Sequence, residues 1–417
     1  MAHWNMPRTR SGMNMYDIAS YLQKSCRRGL NEDAGFTAAE LLEKYNTVLW
    51  NRMFAISCED CSGAFTKELV KLRFEDENAA QMNRDGIRDT SYISRAIYLL
   101  THSNKSRDAC YFACNFVIAC EYNEVRKYAL SDEAIGEWAA FLDGINDGQF
   151  SSAGLFGRMP EKTCAMASER ILLGTRHYEN NDIYRVSLVI REAIRNNDME
   201  AAGYAEHYLK RKHREFLWKT LYAIALDLGG ELCREMLGLY LADEKFNGKR
   251  SAEKKDEIFA SKAIVLLCYL HQGMRDNLIS QPIVRLDSFT DFHGIDYLDI
   301  IDCKLPGGQL PEWVFDCHTI RGKQAGKNDW QMNIDEQAAL SPLMPGFFDE
   351  GTWQSLYEWL KDQDAAMPGK FLSKGEYEEH FAYREGRFNN PITKDIPLVT
   401  KAEFTAESIL GNSPNSV

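Results

Sequence analysis

No apolar run in the chain approaches the ~20 residues that a membrane-spanning helix requires. The opening segment MAHWNMPRTRSGMNM has charge but no apolar stretch, so neither a signal peptide nor an anchor is expected there. Alternating runs bounded by hairpin turns are almost absent as well, which argues against sheets. The phosphate-cradling pattern G-x-x-x-x-G-K-[ST] does not occur. Its nearest approach, Gly322-Lys323-Gln324-Ala325-Gly326-Lys327-Asn328, is one residue short between glycines and ends in Asn instead of a magnesium-binding hydroxyl. There is no G-x-S-x-G elbow and no H-E-x-x-H pair. A P-loop ATPase, an elbow-type hydrolase and a zincin are thereby excluded, and no cofactor is expected.

What is present is a globular composition: 417 residues, 45% hydrophobic and 26% charged. That length allows two or three domains with sizeable cores. The net charge of −12 speaks against a general nucleic-acid binder. Local basic runs remain, Lys24-x-x-Arg27-Arg28 and Lys210-Arg211-Lys212-His213-Arg214, though most such runs are solvated helix faces. Eleven cysteines, an odd number, lie mainly in apolar helical surroundings, as reduced cytosolic thiols do. A cytoplasmic protein is expected. Cys58-x-x-Cys61 and Cys110-x-x-x-Cys114 suggest a zinc site only weakly, because the second copy of the pattern described next has Leu226 and Gly229 at the first pair's places. No metal is assigned.

The strongest positive feature is an internal echo. Residues 16–60 match 184–228 without a gap, at an offset of 168, with 11 identities in 45 positions that include Arg27/Arg195, Gly35/Gly203 and Trp50/Trp218. Arg95-Ala96-Ile97-x-Leu99-Leu100 returns as Lys262-Ala263-Ile264-x-Leu266-Leu267, one residue short of that offset. Self-similarity of this kind marks a repeated architectural unit. The expected fold is all-α: helical unit 1 over 12–145, its repeat over 163–286, and a mostly irregular segment over 287–410.

Helices are expected at Tyr16–Arg28, Phe36–Cys61 (Thr37 and Glu40 forming a capping box), Thr90–His102, Ser106–Cys120, near Val125, and at Asp132–Leu142. In the second copy they are expected at Asp182–Arg195, Met199–Leu228, Glu231–Ala242 and Asp256–His271. A Gly/Ser/Asp-rich connector runs from Asp143 to Glu161. After Ile279 the texture turns irregular, with one helix expected at Thr352–Gln363 and a tail from Gly411 without regular structure. Acidic residues Asp287, Asp291, Asp296, Asp299 and Asp302 surround His293, at a spacing that matches no calcium loop. Further on, Asp316, His318 and Arg321 lie within six residues, with Lys323 and Lys327 nearby. His318 there suits either a general base oriented by Asp316 or a structural histidine, and the three cations suit a phosphate or a partner.

Leu22-Gln23-Lys24-Ser25-x-Arg27, followed by a long helix closing on Ala55-x-Ser57-x-Glu59-Asp60, resembles the C-terminal region of RarA/MgsA-type AAA+ ATPases, relatives of Werner helicase-interacting protein. Ala96-Ile97-Tyr98-Leu99 with Lys105-Ser106 and Ala109 resembles a second stretch of that region, although its proline and asparagine are replaced by Asn104 and Arg107. Asp316-x-His318-Thr319-x-Arg321-Gly322 is similar to a segment of extended members. The resemblance covers about 110 residues of the first unit, and the second keeps only packing positions. It implies a collar that forms homo-oligomers for replication or repair machinery, with the ATPase domain missing.

Lys24, Ser25, Arg27, Glu59 and Asp60 then read as a polar network between helices. Asp316, His318, Arg321, Lys323, Lys327, Lys210, Arg211, Lys212 and Arg214 read as candidates for phosphate or partner binding. Two function classes follow. One is a non-catalytic collar-like scaffold, expected to be a dimer that brings together four collar units and to contact repair proteins or DNA. The other is a metal-dependent phosphoester hydrolase using Asp316, His318 and Arg321.

Overall fold

The computed structural model describes residues 6–82, 88–118, 128, 130–145, 181–250, 256–279, 297–327 and 329–348. The helix near Val125, most of the connector, Asp287, Asp291, His293, Asp296, the helix at Thr352–Gln363 and the tail lie outside them. The protein is all-α: the described residues contain isolated backbone bridges but no strand. None of their helices is long and apolar enough to cross a membrane.

By contacts the chain falls into two compact units. The first takes the residues up to Arg107 together with the described residues from Ile279 onward, and the second takes Asp108–Leu278. In the first unit, α1 (Met15–Arg27) packs along α2 (Asn31–Glu59), with α3 (Thr66–Met82) and α4 (Ser91–His102) against α2. Short 3-10 turns at Ile300–Asp302 and Glu312–Val314 lie on α2 and α1, followed by α12 (Ile320–Gln324) and α13 (Asp329–Ala338). The second unit comprises α5 (Asp108–Phe112) running into a π-helical turn (Ala113–Ile118), then α6 (Asp132–Gly144), α7 (Asn181–Asn196), α8 (Met199–Lys212), α9 (Arg214–Asp227), α10 (Cys233–Asn247) and α11 (Ile258–His271).

Local chemistry explains these helices. Asn14 caps α1 by accepting the Tyr16 amide. Ile18, Leu22 and Cys26 then recur at helical spacing and are fully buried, each apolar side chain contributing roughly 1.5–3 kcal/mol. The end of α1 is a Schellman motif: Gly29 at φ 69° lets its amide bond Cys26 O at 3.1 Å while Leu30 N bonds Ser25 O at 2.9 Å. The end of α7 repeats it, with Asn197 at φ 54°, Asn197 N to Ile194 O at 3.2 Å and Asp198 N to Ala193 O at 2.8 Å.

Helix α2 bends at Tyr45 (φ −128°, ψ 32°). The corresponding break between α8 and α9 falls at His213 (φ −141°, ψ 50°), so the single helix expected over Met199–Leu228 is two.

In each unit the central tryptophan is fully buried and donates its indole N–H to an aspartate of the next helix. Trp50 Nε1 reaches Asp76 at 2.9 Å, and Trp218 Nε1 reaches Asp243 at 2.8 Å.

The capping box expected at Thr37 and Glu40 does not form. Helix α2 begins earlier, at Asn31, where Glu32 and Asp33 favour its positive end. Thr37 is therefore inside the helix, its hydroxyl donating back to Ala34 O, and Glu40 instead accepts from Thr9 and Ser11. The stretch expected as one helix over Ser106–Cys120 divides into α5 and the π turn. The sequence pattern predicts none of α3, α12 and α13.

Candidate functional site

Helical spacing sets Lys24 and Arg27 on one face of α1, with Arg28 following at its C-cap, and burial takes Lys24 and Arg27 out of water. The ammonium of Lys24 lies 2.7 Å from Asp316 Oδ2 and 3.6 Å from Glu336 Oε1, and it donates to the carbonyls of Trp313 (2.9 Å) and Val314 (3.1 Å). The Arg27 guanidinium bridges two carboxylates, Asp60 Oδ1 at 2.7 Å through Nη2 and Glu336 Oε2 at 2.6 Å through Nη1. Arg28 adds a forked pair to Glu336 at 3.0 and 3.2 Å and stacks 4.4 Å over the Trp313 ring.

Gln23 donates to Glu59 at 2.5 Å and Asp60 at 2.9 Å, its amide oriented by Arg52 Nη1 at 2.9 Å. Three cations thus face Asp60, Asp316 and Glu336. An isolated buried charge would be expensive, and this matching of opposite charges is the condition under which burial is tolerated.

Electrostatics follow the geometry. Burial pushes the Glu336 carboxyl up, but Arg27, Arg28 and Lys24 outweigh it and hold the pKa at about 2. Asp316 is likewise lowered: burial opposes, and Lys24, the His318 amide and the His318 side chain prevail. Burial works against the Arg27 charge, yet Asp60 and Glu336 raise its pKa further. Ser25 stands apart, buried, with a hydroxyl that meets no hydrogen-bond partner among the described residues.

The Asp316–Gly322 segment folds as a capped turn. Asp316 Oδ1 accepts the amides of His318 (2.9 Å) and Thr319 (3.3 Å), while Thr319 Oγ1 caps α12 by accepting Gly322 N at 3.1 Å. A Cβ on Gly322 would come within 1.8 Å of Asp316 O, so only glycine fits. The His318 ring points outward, 67% exposed, with Nδ1 at 3.2 Å from Cys317 Sγ and 3.8 Å from Asp316 Oδ1. Arg321 pairs with Glu312 at 2.8 Å and stacks on Phe315. Lys327 donates to Phe315 O at 2.6 Å, and Lys323 is exposed. The cavity between Lys24, Arg28, Trp313 and Asp335 measures about 40 Å³, room for water and not for a substrate.

Sequence-derived candidates thus converge in part. Lys24, Arg27, Glu59 and Asp60 share one network, and Asp316 joins it from the far end of the chain. The basic run lies in the second unit. Lys210 is buried against Glu257 at 2.6 Å, Arg214 against Asp243 and Glu244, and the Arg211 and Lys212 side chains are outside the described residues. Asp299 accepts from Thr90, Ser94 and the Ile301 amide and so anchors a turn.

The residue that joins Lys24, Arg27 and Arg28, Glu336, carries no motif that would have singled it out. Searches against family models, curated proteins and solved structures find no match to this chain.

Proposed function

We propose that this chain is a non-catalytic, collar-like assembly module, built from two diverged copies of one helical unit and working with replication, recombination or repair machinery. The observation that carries the reading is the saturation of Lys24 and Arg27. These two residues of the L-x-K-S-x-R resemblance are buried and bound to Asp316, Glu336 and Asp60. Groups so engaged brace a scaffold, because neither charge is turned toward solvent or a substrate.

Two copies are supported by more than the sequence offset. The same bend stands at Tyr45 and His213, the same helix end at Gly29 and Asn197, and the same indole–carboxylate bond at Trp50 and Trp218. The bend, the helix end and the tryptophan recur at the offset of 168, and the accepting aspartates, Asp76 and Asp243, one residue short of it. If single collar units assemble in fours, two chains supply the set, with pseudo-symmetry in place of true symmetry. Partner proteins or DNA are the expected contacts.

The hydrolase alternative draws less support. Arg321 and Lys327 are occupied by Glu312 and by the Phe315 carbonyl. Purified chain should therefore show no magnesium-dependent ATP turnover while forming a defined oligomer. Turnover abolished by Lys327→Ala would sink the reading.

A further inference from the structure

We propose that Asp316, Cys317 and His318 form a binding site for one divalent transition ion of the zinc class, with its fourth position open. This inference is independent of the scaffold reading. A carboxylate oxygen, a sulfur and an imidazole nitrogen from three consecutive residues all lie within 4.8 Å of one another. Three consecutive side chains rarely converge, because an extended backbone sends neighbours to opposite faces. Here the capped turn forces it: the Asp316 carboxylate bonds the His318 and Thr319 amides, and Gly322 seats its backbone against Asp316.

Spacing supports the assignment. Bonds of about 2.0–2.1 Å to nitrogen or oxygen and about 2.3 Å to sulfur place tetrahedral ligand atoms roughly 3.3–3.6 Å apart. Cys317 Sγ to His318 Nδ1 is 3.2 Å and His318 Nδ1 to Asp316 Oδ1 is 3.8 Å, on either side of that range, and the third pair lies within 4.8 Å. Mixed sulfur, nitrogen and oxygen donors select zinc-class ions over calcium or magnesium, which favour oxygen alone.

Orientation is provided from behind. Lys24 holds the other carboxylate oxygen, Oδ2, at 2.7 Å, while Oδ1, fixed by the His318 and Thr319 amides, is the oxygen nearer the imidazole. A polar group fixing a ligand from its far side is a recurrent support for metal sites. With His318 67% exposed, the open position faces solvent, where water or a partner's side chain can complete it. Binding would release the Cys317 thiol proton to solvent as the sulfur–metal bond forms.

The test is cobalt(II) titration of the full chain after chelator treatment, followed by competition with zinc. The expected result is one equivalent bound, with a sulfur-to-cobalt charge-transfer band and tetrahedral visible bands. Cys317→Ser should abolish the charge-transfer band. His318→Gln should weaken affinity by at least about tenfold, and Cys114→Ser, altering another exposed thiol, should change nothing. Circular dichroism melts verify that each variant is folded. Absence of the band in the parent chain, or its survival in Cys317→Ser, would overturn the proposal; so would unchanged affinity in His318→Gln or equal loss in Cys114→Ser.

Discussion

The Lys24 ammonium rests 2.7 Å from the Asp316 carboxylate, joining α1 to the turn that precedes α12. Both side chains are largely out of water, at 5% and 12% exposure, so removing one deprives the other of its nearest opposite charge. Lys24→Met should destabilise the first unit by about 3 to 5 kcal/mol. Adding Asp316→Leu should recover part of that loss, because the uncompensated carboxylate goes with it. Urea unfolding of the two single variants and the double variant measures the coupling. Strictly additive losses would show that the pair is not coupled.

Acid should loosen the same network. Glu336 has its folded pKa held at about 2, below the ordinary 4.5, so its contribution is complete above pH ~4.5 and disappears as pH falls toward 2. A shift of that size corresponds to roughly 3 kcal/mol. Glu336→Gln should flatten the dependence of unfolding free energy on pH across that window, while lowering stability at neutral pH.

The paired tryptophans give a matched comparison. Trp50→Phe and Trp218→Phe keep most of the apolar volume but leave Asp76 and Asp243 without the indole donor. Each should cost about 1–3 kcal/mol, and the alanine variants about 3–5 kcal/mol. Denaturation followed by circular dichroism checks both. A near-zero effect at one site and a large one at the other would weaken the two-copy reading.

Glycines at equivalent places should differ. A Cβ at Gly203 would meet the backbone oxygen of Phe116 at 2.4 Å, whereas at Gly35 it would meet the Cys303 sulfur at the same distance. Backbone cannot swing aside as a side chain can. Gly203→Ala should therefore lower the melting temperature more than Gly35→Ala, with losses around the 1–3 kcal/mol of overpacked cores or above.

Much of this fold is legible in the sequence where periodicity is strong. The stripe Ile18, Leu22 and Cys26 and the buried run of α11 mark helices within a residue or two of their observed limits. The bend at Tyr45 is not legible, since Tyr45 fits the apolar stripe and nothing in the pattern breaks. Helix α3 is hard to read from sequence because Lys67–Gln81 is rich in charge, and its burial rests on few residues, chiefly Leu69, Val70 and Leu72. At the site, Lys24, Arg27 and Asp60 are readable as a family-like pattern. Glu336 is not, because a carboxylate on a short polar helix gains its role only when folding brings it beneath α1.

Assembly is the central claim, and light scattering across a concentration series measures it most directly. A defined dimer, at twice the 47.7 kDa of one chain, is the expected result. A mass that stays at 47.7 kDa at every concentration would contradict it.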